Sequence, residues 1–257
     1  MKTLENINIK QAIKYIIFTF LFFRIGNFVF ITFLGAINKQ VNFVYYIASE
    51  IVFLVIPTFY ILRKKKITWK KDLKIIKIPF KIYIQLMILV ILFQPIAHGL
   101  ITILSDLLNE HSIQNYKFSF DSFIYFMITT AMIAPLIEEI LFRGLLFQKS
   151  KHIGLYKSIL LNGLIFGLIH QNVVVFSYTV LFGMICCFVF YKTKSLLASI
   201  FLHFLNNALQ FIPEKNYTKA YFQFISDPIH IIPFMILLIL FIYLISKRTN
   251  KGLPMVA

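Results

Sequence analysis

The sequence predicts an all-α integral membrane protein, a polytopic bundle of about eight transmembrane helices with both termini cytoplasmic. Three observations predict it. Of the 257 residues, 59% are hydrophobic, the mean hydropathy is +0.81, and the apolar residues fall into long runs divided by short lysine-rich segments. The net charge of +16 then needs only the positive-inside rule, and nucleic-acid binding is not inferred.

Runs long enough to cross about 30 Å of hydrocarbon at about 1.5 Å per residue fall at 13–36, 42–62, 82–105, 121–148, 157–171, 173–191, 195–212 and 228–246. The first follows a basic start but lacks a small-residue cleavage site, so it reads as a retained span. Between the second and third, RKKKITWKKDLKIIKIPFK (63–81) sets apolar residues between lysines at roughly helical spacing and reads as a helix on the inner leaflet. The fifth run, 157–171, is barely long enough. With the N-terminus inside, the segments 1–14, 63–81, 143–157, 192–194 and 247–251 are cytoplasmic and hold 21 of the 26 Lys and Arg residues. No linker or repeat divides the chain, so residues 1–257 read as one membrane domain. Cys186 and Cys187 are neighbours in an apolar run and read as reduced packing residues rather than a disulfide framework.

Residues 135–144, PLIEEILFRG, raise the functional question. A charge at the bilayer centre costs about 2.5–3.5 kcal/mol on insertion scales, so a chain that keeps several there normally uses them. The polar residues within spans are Arg24, Glu50, Gln94, His98, Glu138, Glu139, Arg143, Asn162, His170, His203, Asn206 and Asn207. Counted from the cytoplasmic ends, Glu138, His170, His203 and Asn207 lie about 15, 20, 14 and 20 Å deep. Three helices thus bring a carboxylate, two imidazoles and an amide to one slab of the membrane, where they must face protein or a wet cavity.

Helical spacing then separates roles. Glu139 and Arg143 are four residues apart and pair along one face, while Glu138 projects about 100° away toward the cavity. His203 and Asn207 also share a face, and Phe166 lies one turn from His170. Gly163 and Gly167 permit close helix approach. Arg24 and Glu50, at similar depth in adjacent spans, read as a buried pair. Gln94 and His98 flank Pro95 and read as part of a kink outside the site.

Such a cluster suits hydrolysis. A desolvated glutamate serves as a general base toward water, an imidazole orients that water, and an imidazole and an amide supply donors to the developing oxyanion. The alternative is a metal: Glu138, His170 and His203 would be three ligands with water in the fourth position, as in catalytic zinc sites. The side chains are consistent with both, so zinc and no cofactor both stand.

EEILFR (Glu138, Glu139, Arg143), FGLIH (Phe166, His170) and HFLNN (His203, Asn207) resemble, in order and spacing, the EExxxR, FxxxH and HxxxN motifs of the CPBP family: CAAX prenyl proteases, bacteriocin-processing enzymes and Abi-type relatives. The resemblance covers about residues 121–212. It implies an all-helical intramembrane endopeptidase, usually classed as a metalloendopeptidase. It further implies that Glu138 and His170 act on the attacking water and that His203 and Asn207 stabilise the oxyanion, with Glu139, Arg143 and Phe166 in support. Patterns of other intramembrane proteases, HExxH and GxGD among them, are missing.

Two other classes stay open at this level. One is a non-catalytic scaffold or bacteriocin-immunity factor of the same fold, which degraded motifs would favour; these motifs are intact. The other is a proton-coupled transporter, which predicts paired repeats with broken helices, and no corresponding halves are seen. The Ile-, Lys- and Phe-rich composition suggests an AT-rich bacterial genome, hence a bacterial plasma membrane. A leader or signalling peptide is then the expected substrate rather than a prenylated protein.

Overall fold

The computed structural model describes residues 7–37, 43–110, 120–170, 172–209 and 219–249. Nine helical segments carry the fold, with no strand among the described residues. The first, α1 (Ile9–Ala36), is opened by a reciprocal cap in which Asn8 Oδ1 accepts the Gln11 N–H at 2.9 Å and Asn8 N–H donates to Gln11 Oε1 at 3.2 Å. Most of its large apolar side chains, Phe18, Phe22 and Phe28 among them, are exposed. In a membrane protein that surface faces lipid. Helix α2 (residues 43–64) packs on α1 and is widened at Ile51–Val55 into a π-helical turn that ends before Pro57.

Helix α3 (Phe80–Leu108) starts after Pro79, which fixes an extended entry, and stops at Asn109 in a left-handed conformation. It contains Pro95 and buries Phe93, Gln94 and Ile96. Helix α4 (residues 120–150) is continuous but irregular, with π-helical stretches at Met127–Ile133 and Ile140–Phe147 on either side of Ala134–Glu139. Pro135 lacks an amide hydrogen, which accounts for the change of hydrogen-bond pattern just before the two glutamates.

The remaining helices are α5 (Leu155–Leu168), α6 (Val173–Thr193), α7 (Leu196–Leu209), α8 (Lys219–Ser226) and α9 (Ile231–Thr249). Gly154, at φ +101°, provides the turn into α5, Asn172 caps α6 by accepting the Val175 N–H at 2.9 Å, and Asp227 Oδ1 accepts the Ile229 N–H at 3.0 Å before α9. The core lies where α3, α5, α6 and α7 meet α4. It is joined by ring contacts of Phe93 with Phe182 (5.5 Å), Phe142 with Phe166 (5.1 Å) and Phe147 with Phe190 (6.0 Å).

Three expectations need correction. Among the described residues, five helices are long and apolar enough to cross a membrane, or six if the segment Ala220–Ser226 and Pro228–Leu244, bent by 61°, is one span. The expected spans 157–171 and 195–212 correspond to α5 and α7, each of 14 residues and thus about 21 Å long. Hydropathy responded to apolar runs and not to where the helices end. Residues 65–79 form turns and extended backbone rather than a surface helix. Their backbone is used elsewhere: Lys74 O accepts the Leu196 N–H at 2.9 Å, and Asp72 O accepts from Gln148 Nε2 at 2.6 Å. This strap also buries Leu73, whose methyl occupies the space a side chain at Gly144 would need.

The third correction concerns Arg24 and Glu50, which form no ion pair among the described residues. Arg24 lines a cleft of about 530 Å³ with Asn27, Thr32 and Tyr46, whereas Glu50 is buried. Similar depth does not fix the direction in which a side chain leaves its helix. Both cysteines are fully buried and unpaired.

Candidate active site

The three motifs converge. On α4, Glu139 and Arg143 are fully buried and paired, Arg143 Nη1 donating to Glu139 Oε1 at 2.8 Å. Arg143 Nη2 donates to Gly183 O at 2.8 Å, so the guanidinium also holds α6. Its carbon lies 4.9 Å from the Phe166 ring centroid, a cation–π contact in a dry setting. Phe166 is therefore packed between the arginine and both imidazoles, with ring centroids 4.9 Å from His170 and 5.6 Å from His203.

Glu139 does more than pair within its helix. The same Oε1 lies 2.9 Å from His203 Nδ1. A carboxylate bound to a guanidinium only accepts, so Nδ1 carries the hydrogen and Nε2 points the other way. There it meets Glu138, whose Oε2 is 3.7 Å from His203 Nε2. Glu138 is mostly buried but not sealed, at 8% exposure against 0% for Glu139. Two adjacent glutamates thus differ in exposure while both reach the His203 ring.

His170 lies just beyond the last turn of α5. Its Nδ1 is 2.8 Å from Phe166 O, and since a carbonyl only accepts, the lone pair of the neutral ring sits on Nε2. The short α5 is seated against α6 through glycines: a Cβ on Gly183 would meet Gly163 Cα at 3.1 Å, and one on Gly163 would meet Val180 O at 2.8 Å.

Asn207, on α7 with His203, donates from Nδ2 to Thr130 O at 2.8 Å, a carbonyl in the π-helical part of α4. Its Oδ1 accepts from Asn206 Nδ2 at 3.1 Å, and Asn206 Oδ1 accepts from Gln94 Nε2 at 3.2 Å. Gln94 and Asn206 are both buried. Sequence reasoning placed Gln94 outside the site because proximity to Pro95 gave it another use; its one available signal was an uncharged amide deep in an apolar helix. Glu50 was likewise missed. Its buried Oε2 has no hydrogen-bond partner among the described residues.

The residues that would hold a zinc ion are Glu138, His170 and His203. Both imidazoles have Nδ1 committed and Nε2 available, which suits a ligand. Among the described residues, however, no three His, Cys, Asp or Glu side chains are gathered closely enough to hold a metal ion.

A family model described as type II CAAX prenyl endopeptidase Rce1-like matches residues 120–209, the stretch from α4 to the end of α7. All seven motif residues lie within it. No curated protein and no solved structure matches the chain.

Proposed function

We propose that this chain, whose residues 120–209 match the Rce1-like family model, is an intramembrane endopeptidase of the CPBP and CAAX-protease type that hydrolyses a peptide bond of a membrane-associated peptide by glutamate and imidazole chemistry. The observation that carries the reading is the placement of His203 between two carboxylates, Nδ1 on Glu139 at 2.9 Å and Nε2 facing Glu138 at 3.7 Å.

In this mechanism Glu138 is the general base. Water held by Glu138 and His170 Nε2 gives a proton to Glu138, and its oxygen attacks the scissile carbonyl carbon. The carbonyl π electrons move to oxygen, which is met by His203 Nε2–H and the second Asn207 Nδ2 hydrogen. Because His203 Nδ1 already donates to Glu139, donation from Nε2 uses the doubly protonated ring. When the tetrahedral intermediate collapses the C–N bond breaks, and Glu138 returns the proton to the leaving amine. General-base catalysis contributes about 10²–10⁴-fold, and one oxyanion donor about 10²–10³-fold. No step passes through a metal.

The lysine distribution supports cytoplasmic termini and a cut approached from that side, and the proposed setting is a bacterial plasma membrane with a leader or signalling peptide as substrate. The test compares, by mass spectrometry, peptides released from membranes carrying wild type or Glu138→Gln, with and without a strong chelator. A mature peptide that disappears with Glu138→Gln while its precursor accumulates supports the protease. Identical profiles alongside a phenotype that still depends on the protein would turn the reading toward a scaffold. Loss of cleavage with chelator and its return with zinc would overturn the metal-free chemistry.

A further inference from the structure

Four described non-glycine residues adopt left-handed backbone angles, and three are lysines: Lys66, Lys74 and Lys194, with φ 53°, 58° and 55°. Glycine is the usual occupant of such positions because a Cβ opposes them sterically. Lys74 lies in the strap between α2 and α3, and Lys194 ends α6. Their backbones are tied together. Leu196 N–H donates to Lys74 O at 2.9 Å, and the Ser195 hydroxyl donates to Ile76 O.

Lys151, in the turn after α4, is the third member. Its Nζ lies over the Phe147 and Phe190 rings at 5.1 and 5.6 Å, while Lys194 Nζ lies 4.1 Å from the Tyr191 centroid. Phe190 lies one turn before Lys194 on α6, so Lys151 Nζ reaches the same helix end to which the Lys74 carbonyl is tied through Leu196. No carboxylate neutralises any of the three among the described residues. Asp72, two residues before Lys74, turns Oδ2 to the backbone and hydroxyl of Thr68, at 2.7 Å each.

The positive-inside rule asks for lysines on this side of the membrane, and dispersed ones satisfy it. It does not ask that three converge from separate elements, two of them at backbone positions better suited to glycine. Convergence of unneutralised cations on a fixed frame is what an anion with several acceptor oxygens requires. We propose that Lys74, Lys151 and Lys194 form a binding site for a phosphate group, supplied by an anionic phospholipid headgroup or by free inorganic phosphate. An occupant would link the strap to the ends of α4 and α6, and through Leu196 to the start of α7, which carries His203.

Trp69 is the chain's one tryptophan and lies in the strap, so its fluorescence reports binding on the full-length protein in neutral detergent. Phosphatidylglycerol is titrated in one arm and sodium phosphate, against chloride at equal ionic strength, in another. Saturable binding of phosphatidylglycerol alone identifies a lipid headgroup, and saturation by inorganic phosphate identifies the free anion. The triple substitution Lys74→Gln, Lys151→Gln and Lys194→Gln is expected to weaken binding at least tenfold. Lys64→Gln, Lys70→Gln and Lys81→Gln together remove equal charge outside the cluster and should change it less than twofold. Equal weakening in both variants, or in neither, overturns the site, as does no saturable response in wild type. Should the triple variant not fold, Lys194→Gly serves instead. It relieves the left-handed backbone while removing one ammonium, so affinity should fall at least threefold, and unchanged affinity counts against the proposal.

Discussion

His203 Nδ1 and Glu139 Oε1 are 2.9 Å apart, and that same oxygen receives Arg143 Nη1 at 2.8 Å. One buried carboxylate therefore fixes the ring of a histidine on α7 and compensates an arginine on its own helix. Glu139→Gln should cost stability and activity together, because it leaves the fully buried Arg143 uncompensated. Breaking a buried pair by removing one partner costs about 3–5 kcal/mol. The double variant Glu139→Gln with Arg143→Met should regain most of the unfolding temperature in detergent without regaining cleavage, since His203 would still lack its carboxylate. Recovery of cleavage by the double variant would show that Glu139 serves only the arginine.

The line from Gln94 through Asn206 to Asn207 makes a different prediction. Gln94 and Asn206 do not face the scissile bond in the mechanism above; they fix the amide that does. Gln94→Leu leaves Asn206 Oδ1 without its donor, and an unsatisfied buried acceptor costs about 1–3 kcal/mol. A steady-state assay should show kcat reduced about tenfold with KM within twofold, given that one oxyanion donor contributes about 10²–10³-fold and here is loosened rather than removed. An effect confined to KM would place Gln94 in substrate binding instead.

The glycines of α5 and α6 predict a contrast. Gly183→Ala sets a methyl 3.1 Å from Gly163 Cα and from Phe166 Cβ, so the helices must separate and Phe166 must move. Overpacking of this kind costs about 1–3 kcal/mol, and cleavage should fall as His170 and His203 lose the ring between them. Gly154→Ala has open space around its Cβ but φ +101°, so it strains only the turn. Its cost should be about 1 kcal/mol with cleavage retained. Thermal unfolding and turnover of the two variants, measured side by side, check the contrast.

The helical class, the membrane setting and the three motifs were determined by the sequence alone. Each rests on hydropathy or on the 3.6-residue period, and neither depends on knowing which helix is the neighbour. The Glu139–Arg143 pair was legible for the same reason, being four residues apart on one helix. Tertiary structure alone decided the rest. It made Glu139 a partner of His203, drew Gln94 and Asn206 toward Asn207, separated Arg24 from Glu50, and folded residues 65–79 as a strap rather than a helix. Depth along a span says how far a polar group lies from water; it does not say toward which neighbour the helix turns that group. That direction is set by close packing between elements far apart in the chain, through glycine contacts, π-helical turns and bonds such as Arg143 to the Gly183 carbonyl.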